Sequence, residues 1–172
     1  MHVVSPNHEE LACFFGIEDS FEINDPRVIQ DLAGELVAIG IGPSGDGGVV
    51  VRAGKMGCLV ASRKHPPVWL PAYYQPTEGH ESHPKVVDPT GGGNAFIGGL
   101  AVGLSRKGIT NYIYAAAMGT VAASFAIEQV GIPGLEKAHD GGGELWNDVS
   151  VAERFEEYRK RIRDMGALLE RE

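Results

Sequence analysis

The chain has 172 residues, of which 43% are hydrophobic and 22% charged, an ordinary composition for a globular domain that buries a core. Its net charge of −8 argues against a broad nucleic-acid or anionic-membrane surface, because such surfaces need clustered Lys and Arg. No apolar run reaches the roughly 20 residues of a membrane span, and the start lacks a signal-peptide pattern. The totals therefore predict one cytoplasmic domain over residues 1–172, without nucleic-acid or membrane partners.

The first segment predicts the end of a strand followed by a short helix. Pro6 and the acidic residues after Asn7 fit a first helical turn, and Gly16 fits its end. Asn7 and Glu10 are three residues apart and therefore lie on one face of this helix. Two interpretations of the pair stay open: a helix cap, or polar groups that orient the water shell of a magnesium ion.

A second helix is predicted to begin at Asp25-Pro26 and to end before a glycine-rich loop at 40–48. That loop contains the letters of the G-x-G-x-x-G dinucleotide fingerprint. The fingerprint has meaning only between a strand and a helix, whereas the β-branched run 49–52 predicts a strand here. Dinucleotide binding is therefore not expected.

Residues 49–61 predict a β-hairpin whose turn spans 53–57. The glycines of this turn are able to hydrogen-bond the phosphates of a nearby nucleotide, and they equally suit a plain hairpin turn without a ligand. The next segment, 63–84, is rich in proline, which prevents a long helix and favours extended backbone. It is predicted to be an irregular loop.

The central stretch of the chain is 86–96. An apolar run ends on Asp88, passes through three consecutive glycines and opens into a helical pattern at Phe96, which predicts a strand, a tight turn and a helix. Glycines at such a junction let backbone N–H groups face one point, and the helix start adds partial positive charge. The expected ligand is an anion, most often a phosphate.

Three more helices are predicted after this turn. The first, at 96–104, contains so many small residues that another element must approach it closely. The second, the Ala-rich segment 112–129, is interpreted either as a tightly packed helix or as an apolar wall for a flat ring. The third is an amphipathic C-terminal helix over 144–172.

These segments, in this order, resemble the ribokinase-like, or PfkB, family of carbohydrate and nucleoside kinases. Residues 87–96 are similar to the family signature D-T-x-G-A-G-D-x-F, and residues 7–10 to its N-x-x-E magnesium motif. Residues 52–57 are similar to its T-x-G-x-x-G phosphate hairpin, with Arg52 in the threonine place. The resemblance covers most of residues 3–133 and implies the C-terminal portion of a three-layer α/β/α fold, a partial sheet flanked by helices.

The resemblance also implies an activity: transfer of the γ-phosphate of ATP to a sugar-like hydroxyl, with Mg²⁺ and with a monovalent cation such as K⁺. It implies a role for each matching residue. The anion hole would be formed by Gly91, Gly92 and Gly93, the nucleotide would be held by Arg52, Gly54, Lys55 and Gly57, Mg²⁺ would be organised through water by Asn7 and Glu10, and Asp88 and Thr90 would hold the monovalent cation.

The chain departs from the family pattern at Asn94, where the family has the aspartate that acts as catalytic base. An amide cannot accept the proton of the attacking hydroxyl, and losing a general base costs a factor of about 10²–10⁴ in rate. Phosphoryl transfer also depends on positioning and charge stabilisation. Two functions therefore stay open: a catalytically impaired phosphotransferase, and a nucleotide-binding or interaction module without chemistry.

The resemblance begins in the middle of the family fold. The family's N-terminal half supplies the sugar-binding residues, the lid and much of the parallel sheet, so the residues that would contact the acceptor are not among those of this chain. The sequence predicts that the isolated chain exposes apolar sheet surface and is oligomeric or pairs with an N-terminal half.

Overall fold

The computed structural model describes residues 2–17, 23–77, 79–108, 110–137 and 143–166. In these residues a four-stranded sheet lies between two groups of helices. The first strand is parallel to the second, and the other neighbouring strands are antiparallel. In spatial order the strands are β1 (Val3–Val4), β2 (Gly48–Arg52), β3 (Cys58–Ser62) and β4 (His65–Leu70).

Five α-helices, a short 3₁₀ helix at Gly54–Met56 and a second, smaller sheet complete the regular structure of the described residues. The smaller sheet is antiparallel and consists of β5 (Leu135–Lys137), β6 (Glu144–Trp146) and β7 (Val149–Ser150). None of the helices in these residue ranges is long and apolar enough to cross a bilayer. The helices are α1 (His8–Phe14), α2 (Pro26–Ile39), α3 (Gly92–Lys107), α4 (Tyr112–Ala126) and α5 (Val151–Asp164).

The side chains of β2 and β3 alternate between two hydrophobic cores, because successive strand residues face opposite sides of a sheet. Val49 and Val51 belong to the core formed with α1 and α2, whereas Val50 and Val60 belong to the core formed with α3, α4 and α5. Helices thus cover both faces, as the predicted α/β class requires. This is why the strands read as continuous apolar runs in the sequence.

The expectation of an exposed apolar sheet surface is wrong for β2, β3 and β4, because their large apolar side chains are buried or half-buried. Exposed large apolar side chains occur instead on helices, on loops and on β5. They are Phe14, Ile39, Val87, Ile97, Val102, Val130, Ile132, Leu135 and Met165.

Helices α3 and α4 pack closely through small residues, as the sequence predicts. A Cβ built on Gly99 would lie 2.6 Å from the carbonyl oxygen of Met118, and one on Gly103 would lie 2.6 Å from the Cα of Ala115. These distances leave no room for a side chain at either glycine. The close contact places α4 against the helix that begins at the glycine turn.

Substituting Gly103 by alanine should therefore destabilise the protein by about 1–3 kcal/mol, because the new methyl group meets backbone atoms that cannot move aside. Gly98 in the same helix is the matched control, since a Cβ there meets nothing within 4 Å. Gly98→Ala should stabilise by about 0.5–1 kcal/mol through helix propensity. Urea unfolding measures both effects, and equal signs for the two variants would contradict the packing described.

Two segments differ from their predicted structure. Part of the segment 63–84 is not a loop, because His65–Leu70 forms β4 and pairs with β3. The strand tolerates Pro66 and Pro67 because it lies at an edge of the sheet and needs partners on one side only. The apolar run 86–88 forms no strand; instead the amides of Val87 and Asp88 donate to the carbonyl oxygen of Ile127 at the end of α4.

The C-terminal helix is shorter than the predicted segment 144–172. It begins at Val151, with Ser150 as its N-cap, and the residues before it form β6 and β7. Residues 167–172 lie outside the described part of the chain. The predicted apolar stripe is buried at Phe155, Tyr158 and Ile162, which attaches the helix to the core beside α4.

Candidate functional site

The structure has a cleft of about 370 Å³ between the turn of the β2–β3 hairpin, the start of α3 and the segment 72–76. This volume lies within the range of ~300–1,000 Å³ that is usual for small-molecule sites. Residues distant in sequence meet here. Of the residues predicted for the site, the cleft is lined by Asn7, Arg52, Gly54, Lys55, Gly57, Gly92 and Gly93.

Five other predicted residues do not line the cleft. One of them contacts a lining residue, and four are close in sequence to the lining residues Gly92 and Gly93. Glu10 is paired with Arg52. Gly91 and Asn94 flank the two lining glycines in the first turn of α3, and Asp88 and Thr90 precede them. Asn94, at the position of the family base, is an exposed residue.

The first turn of α3 depends on Gly91, which is its N-cap. Gly91 has a φ of 83°, in the left-handed region that favours glycine, and it has no side chain to accept from the first-turn amides. The amide of Gly92 donates to the carbonyl oxygen of Pro89 at 3.1 Å. The following amides, together with the helix dipole, suit an anion.

Arg52 brings a positive charge to this helix start. A Cβ on Gly93 would lie 2.6 Å from Nη1 of Arg52, so the guanidinium lies directly against that glycine. Its other groups are anchored: Nη2 donates to the carbonyl oxygen of Ser5 at 3.2 Å and to Oε2 of Glu10 at 3.0 Å. With only 17% of its side chain exposed, Arg52 is held in place next to the expected anion.

Asn7 and Glu10 form a capping box at the start of α1. The amide of Glu10 donates to Oδ1 of Asn7 at 2.7 Å, and the amide of Asn7 donates to Oε2 of Glu10 at 2.6 Å. The capping interpretation of this pair is therefore what the structure has. Both bonds to Glu10 noted here and above, from Asn7 and from Arg52, use Oε2, so Oε1 takes part in neither of them.

The hairpin turn at 53–57 faces the start of α3 across the cleft. Gly57 has a φ of 96°, and a Cβ there would lie 2.0 Å from the carbonyl oxygen of Leu70. Packing against β4 therefore explains this glycine without a ligand. Gly54 and Lys55 are exposed and line the cleft, where the ammonium group of Lys55 adds positive charge.

Helix α4 forms one wall of the cleft through Thr120, Ala123, Ser124 and Ile127. Tight packing, one interpretation of the Ala-rich segment, is what the structure has where α4 meets α3, and a flat ring against this wall stays a prediction. Residues 72–74 form another wall of the cleft, which the sequence interpretation missed. The signal for it was the pair of aromatic residues between prolines.

Asp88, just before the glycine turn, has a carboxyl group whose pKa is shifted by its neighbour Thr90. Hydrogen bonds from the backbone and side chain of Thr90 hold the pKa of Asp88 below its usual range, with the Thr90 amide 2.9 Å from Oδ1. In the described residue ranges, no three His, Cys, Asp or Glu side chains converge on a possible metal position.

The fold and this site define an α/β domain with a cleft between a glycine-rich helix start and a hairpin turn. The model of the pfkB family of carbohydrate kinases matches residues 1–136, and the chain belongs to that family. The match extends from β1 into β5 and thus includes every predicted site residue. Helix α5 lies outside it.

The comparison proteins are longer than this chain. "Uncharacterized protein C16C9.01c" of Schizosaccharomyces pombe is 34% identical over 91% of the chain and 44% of its own length. The Escherichia coli phosphofructokinase-2 structure has a TM-score of 0.62 and 18% identity, over 92% of this chain and 41% of its own. Arabidopsis thaliana ribokinase, solved with ribose and ATP, has a TM-score of 0.58 and 20% identity, over 77% of this chain and 36% of its own. The chain thus spans less than half of each.

Proposed function

We propose that this domain binds ATP and takes part in transfer of its γ-phosphate to a sugar-like hydroxyl. The observation that carries the proposal is the convergence of the glycine turn, the hairpin turn and Arg52 on one cleft. Such a site offers helix-start amides and two cationic side chains, Arg52 and Lys55, to a polyphosphate.

The solved structures support the same choice of ligands. Arabidopsis thaliana ribokinase was solved with ribose and ATP, and Escherichia coli phosphofructokinase-2 with potassium. For this chain we assign the phosphates to Gly91–Gly93 and the hairpin turn, Mg²⁺ to Asn7 and Glu10 through water, and a monovalent cation such as K⁺ to Asp88 and Thr90. Mg²⁺ and K⁺ would neutralise phosphate charge, and the chain's own residues would hold the nucleotide in place.

Asn94 favours a second candidate, a nucleotide-binding or interaction module that performs no chemistry. The amide at this position is able to hydrogen-bond a hydroxyl but cannot remove its proton. The unpaired edge of β1 in the described sheet also leaves room for an N-terminal half or a second copy to extend it. Both candidates require the same ATP-binding cleft, and they differ in turnover.

ATP binding tests the proposal. Titration calorimetry with Mg·ATP should give saturable binding by the wild-type chain, and Arg52→Met should weaken it about tenfold or more through loss of one charge-assisted contact. Arg63→Met is the matched control, because Arg63 is also an arginine that donates to backbone carbonyls, those of Val37 and Ala38, but does not line the cleft.

Equal affinities of the two arginine variants would contradict the assignment of Arg52 to the phosphates. Absence of saturable binding by the wild-type chain at millimolar ATP would overturn the proposed function as a whole. A coupled assay for ADP release with a panel of pentoses, hexoses and nucleosides then separates the two candidates, since only the phosphotransferase releases ADP in an acceptor-dependent way.

A further inference from the structure

We propose that helix α5 positions the aromatic wall of the cleft, residues 72–74, with Arg161 and Tyr158 as its positioning residues. The inference rests on the proposed function for the identity of the ligand. Neither residue lines the cleft, and both lie outside the residues that the family model matches. They would act on the nucleotide only through the wall they hold.

The backbone of the wall is bonded to α5 rather than to a strand. The hydroxyl of Tyr158 donates to the carbonyl oxygen of Pro71 at 2.6 Å. Nη1 of Arg161 donates to the carbonyl oxygens of Tyr73 at 2.7 Å and Ala72 at 3.4 Å. Three successive carbonyls of a segment without regular secondary structure are thus satisfied by two side chains of one helix.

The side chain of Tyr73 is held by the same helix. Its hydroxyl donates to Oε2 of Glu157 at 3.0 Å. The guanidinium carbons of Arg161 and Arg154 lie 4.9 Å and 5.3 Å from the centre of its ring, within reach of a cation–π interaction. These contacts fix the orientation of a ring that forms part of the cleft lining.

Helix α5 also connects this wall with the wall formed by α4. Nη1 of Arg154 donates to Oγ of Ser124, a lining residue of α4, at 3.1 Å and pairs with Oε1 of Glu128 at 2.9 Å. The hydroxyl of Tyr74 donates to the same carboxylate oxygen of Glu128. Arg154 and Glu128 thereby connect Ser124 of the α4 wall with Tyr74 of the wall at 72–74, so α5 is linked to both of these parts of the cleft lining.

A wall held in this way is ordered before the ligand arrives. Irregular segments with few backbone partners open locally at low free-energy cost, and ordering them on binding lowers affinity. Removing the bonds from α5 should therefore weaken nucleotide binding although no atom in contact with the nucleotide changes. A residue that merely stabilises the whole fold would not have this local effect.

The test compares Arg161→Met with Ile162→Val, its neighbour in the same helix. Ile162 is fully buried in the core and forms none of the hydrogen bonds or ring contacts described for the wall. Its variant therefore lowers the stability of the whole fold without removing a bond to the wall. Two quantities are measured on the intact chain of each: hydrogen exchange of the amides of residues 72–75 and the dissociation constant of Mg·ATP.

In Arg161→Met, loss of the two carbonyl bonds should speed exchange in 72–75 about tenfold and raise the dissociation constant severalfold, with exchange in α3 unchanged. In Ile162→Val, exchange in 72–75 should speed up only as much as the global loss of stability requires, and the dissociation constant should not change. Equal local exchange in the two variants would overturn the positioning role. An unchanged dissociation constant in Arg161→Met would overturn it as well, whereas wild-type protein that binds no ATP would overturn the proposed function.

Discussion

Replacing Asn94 by aspartate is expected to raise the rate of phosphoryl transfer by a factor of about 10²–10⁴, because a carboxylate accepts the proton of the attacking hydroxyl and an amide does not. The substitution should not harm folding. Residue 94 is exposed in the first turn of α3, where a negative charge interacts favourably with the helix dipole. Acceptor-dependent ADP release from Mg·ATP measures the effect.

Asn94→Ala is the matched control, since it removes the amide without supplying a base, and its rate should not exceed that of the wild type. Both variants are best assayed alone and with the N-terminal half of the S. pombe relative added, because the chain spans only 44% of that protein. If Asn94→Asp transfers no phosphate in either form, the missing carboxylate is not what limits transfer.

Replacing Arg154 by methionine is expected to destabilise the protein by about 3 kcal/mol, the low end of the range for breaking a buried ion pair, because it leaves the largely buried carboxylate of Glu128 without its counter-charge. Arg154 is 5% exposed and Glu128 14% exposed, and their charged groups are 2.9 Å apart. The guanidinium also lies over the ring of Phe125, 3.8 Å from its centre. Thermal and urea unfolding measure the loss.

The control is Arg154→Met combined with Glu128→Gln. Since the second change removes the stranded charge, the double variant should be more stable than the single one. A double variant that is less stable than Arg154→Met would show that the loss comes from packing of the arginine stem rather than from the unpaired carboxylate.

The same carboxylate gives a pH dependence with a definite sign. Burial raises the pKa of Glu128, but hydrogen bonds from Tyr74 and Asn147 and the charge of Arg154 outweigh it and leave the pKa below its ordinary value of 4.5. The carboxylate of Glu128 therefore binds its proton more tightly in the unfolded chain than in the folded one. The contribution of Glu128 to stability is complete above pH 4.5 and is lost as the pH falls through the lowered pKa.

Most of the helices and the hairpin were predictable from the sequence because their signals are local. Asp25 caps α2 with a hydrogen bond to Arg27, as Asp25-Pro26 predicts. The turn at 53–57 follows from its glycines. The glycine turn before α3 follows from Gly91, whose positive φ another residue would adopt only with strain.

Other features were beyond sequence reasoning because they depend on contacts between distant segments. Pro66 and Pro67 argue against a strand, and β4 forms only because β3 offers it an edge. The hairpin of β6 and β7 likewise replaces the start of a predicted helix. Asn147, in the turn between β6 and β7, donates to Oε2 of Glu128 at 2.9 Å. No local sequence pattern predicts this tertiary contact.

For the site, the sequence by itself determined which residues are suited to an anion, namely the glycines at 91–93 and those of the hairpin turn, whereas the place of Asn94 at the position of a base was implied by the family resemblance. It did so because backbone conformation and side-chain chemistry are properties of single residues and short segments. Only the tertiary structure decided that Arg52 lies against Gly93 and that α5 holds the wall at 72–74. Those contacts exist because burying both faces of the sheet brings distant segments together, and no spacing along the chain encodes the distance between them.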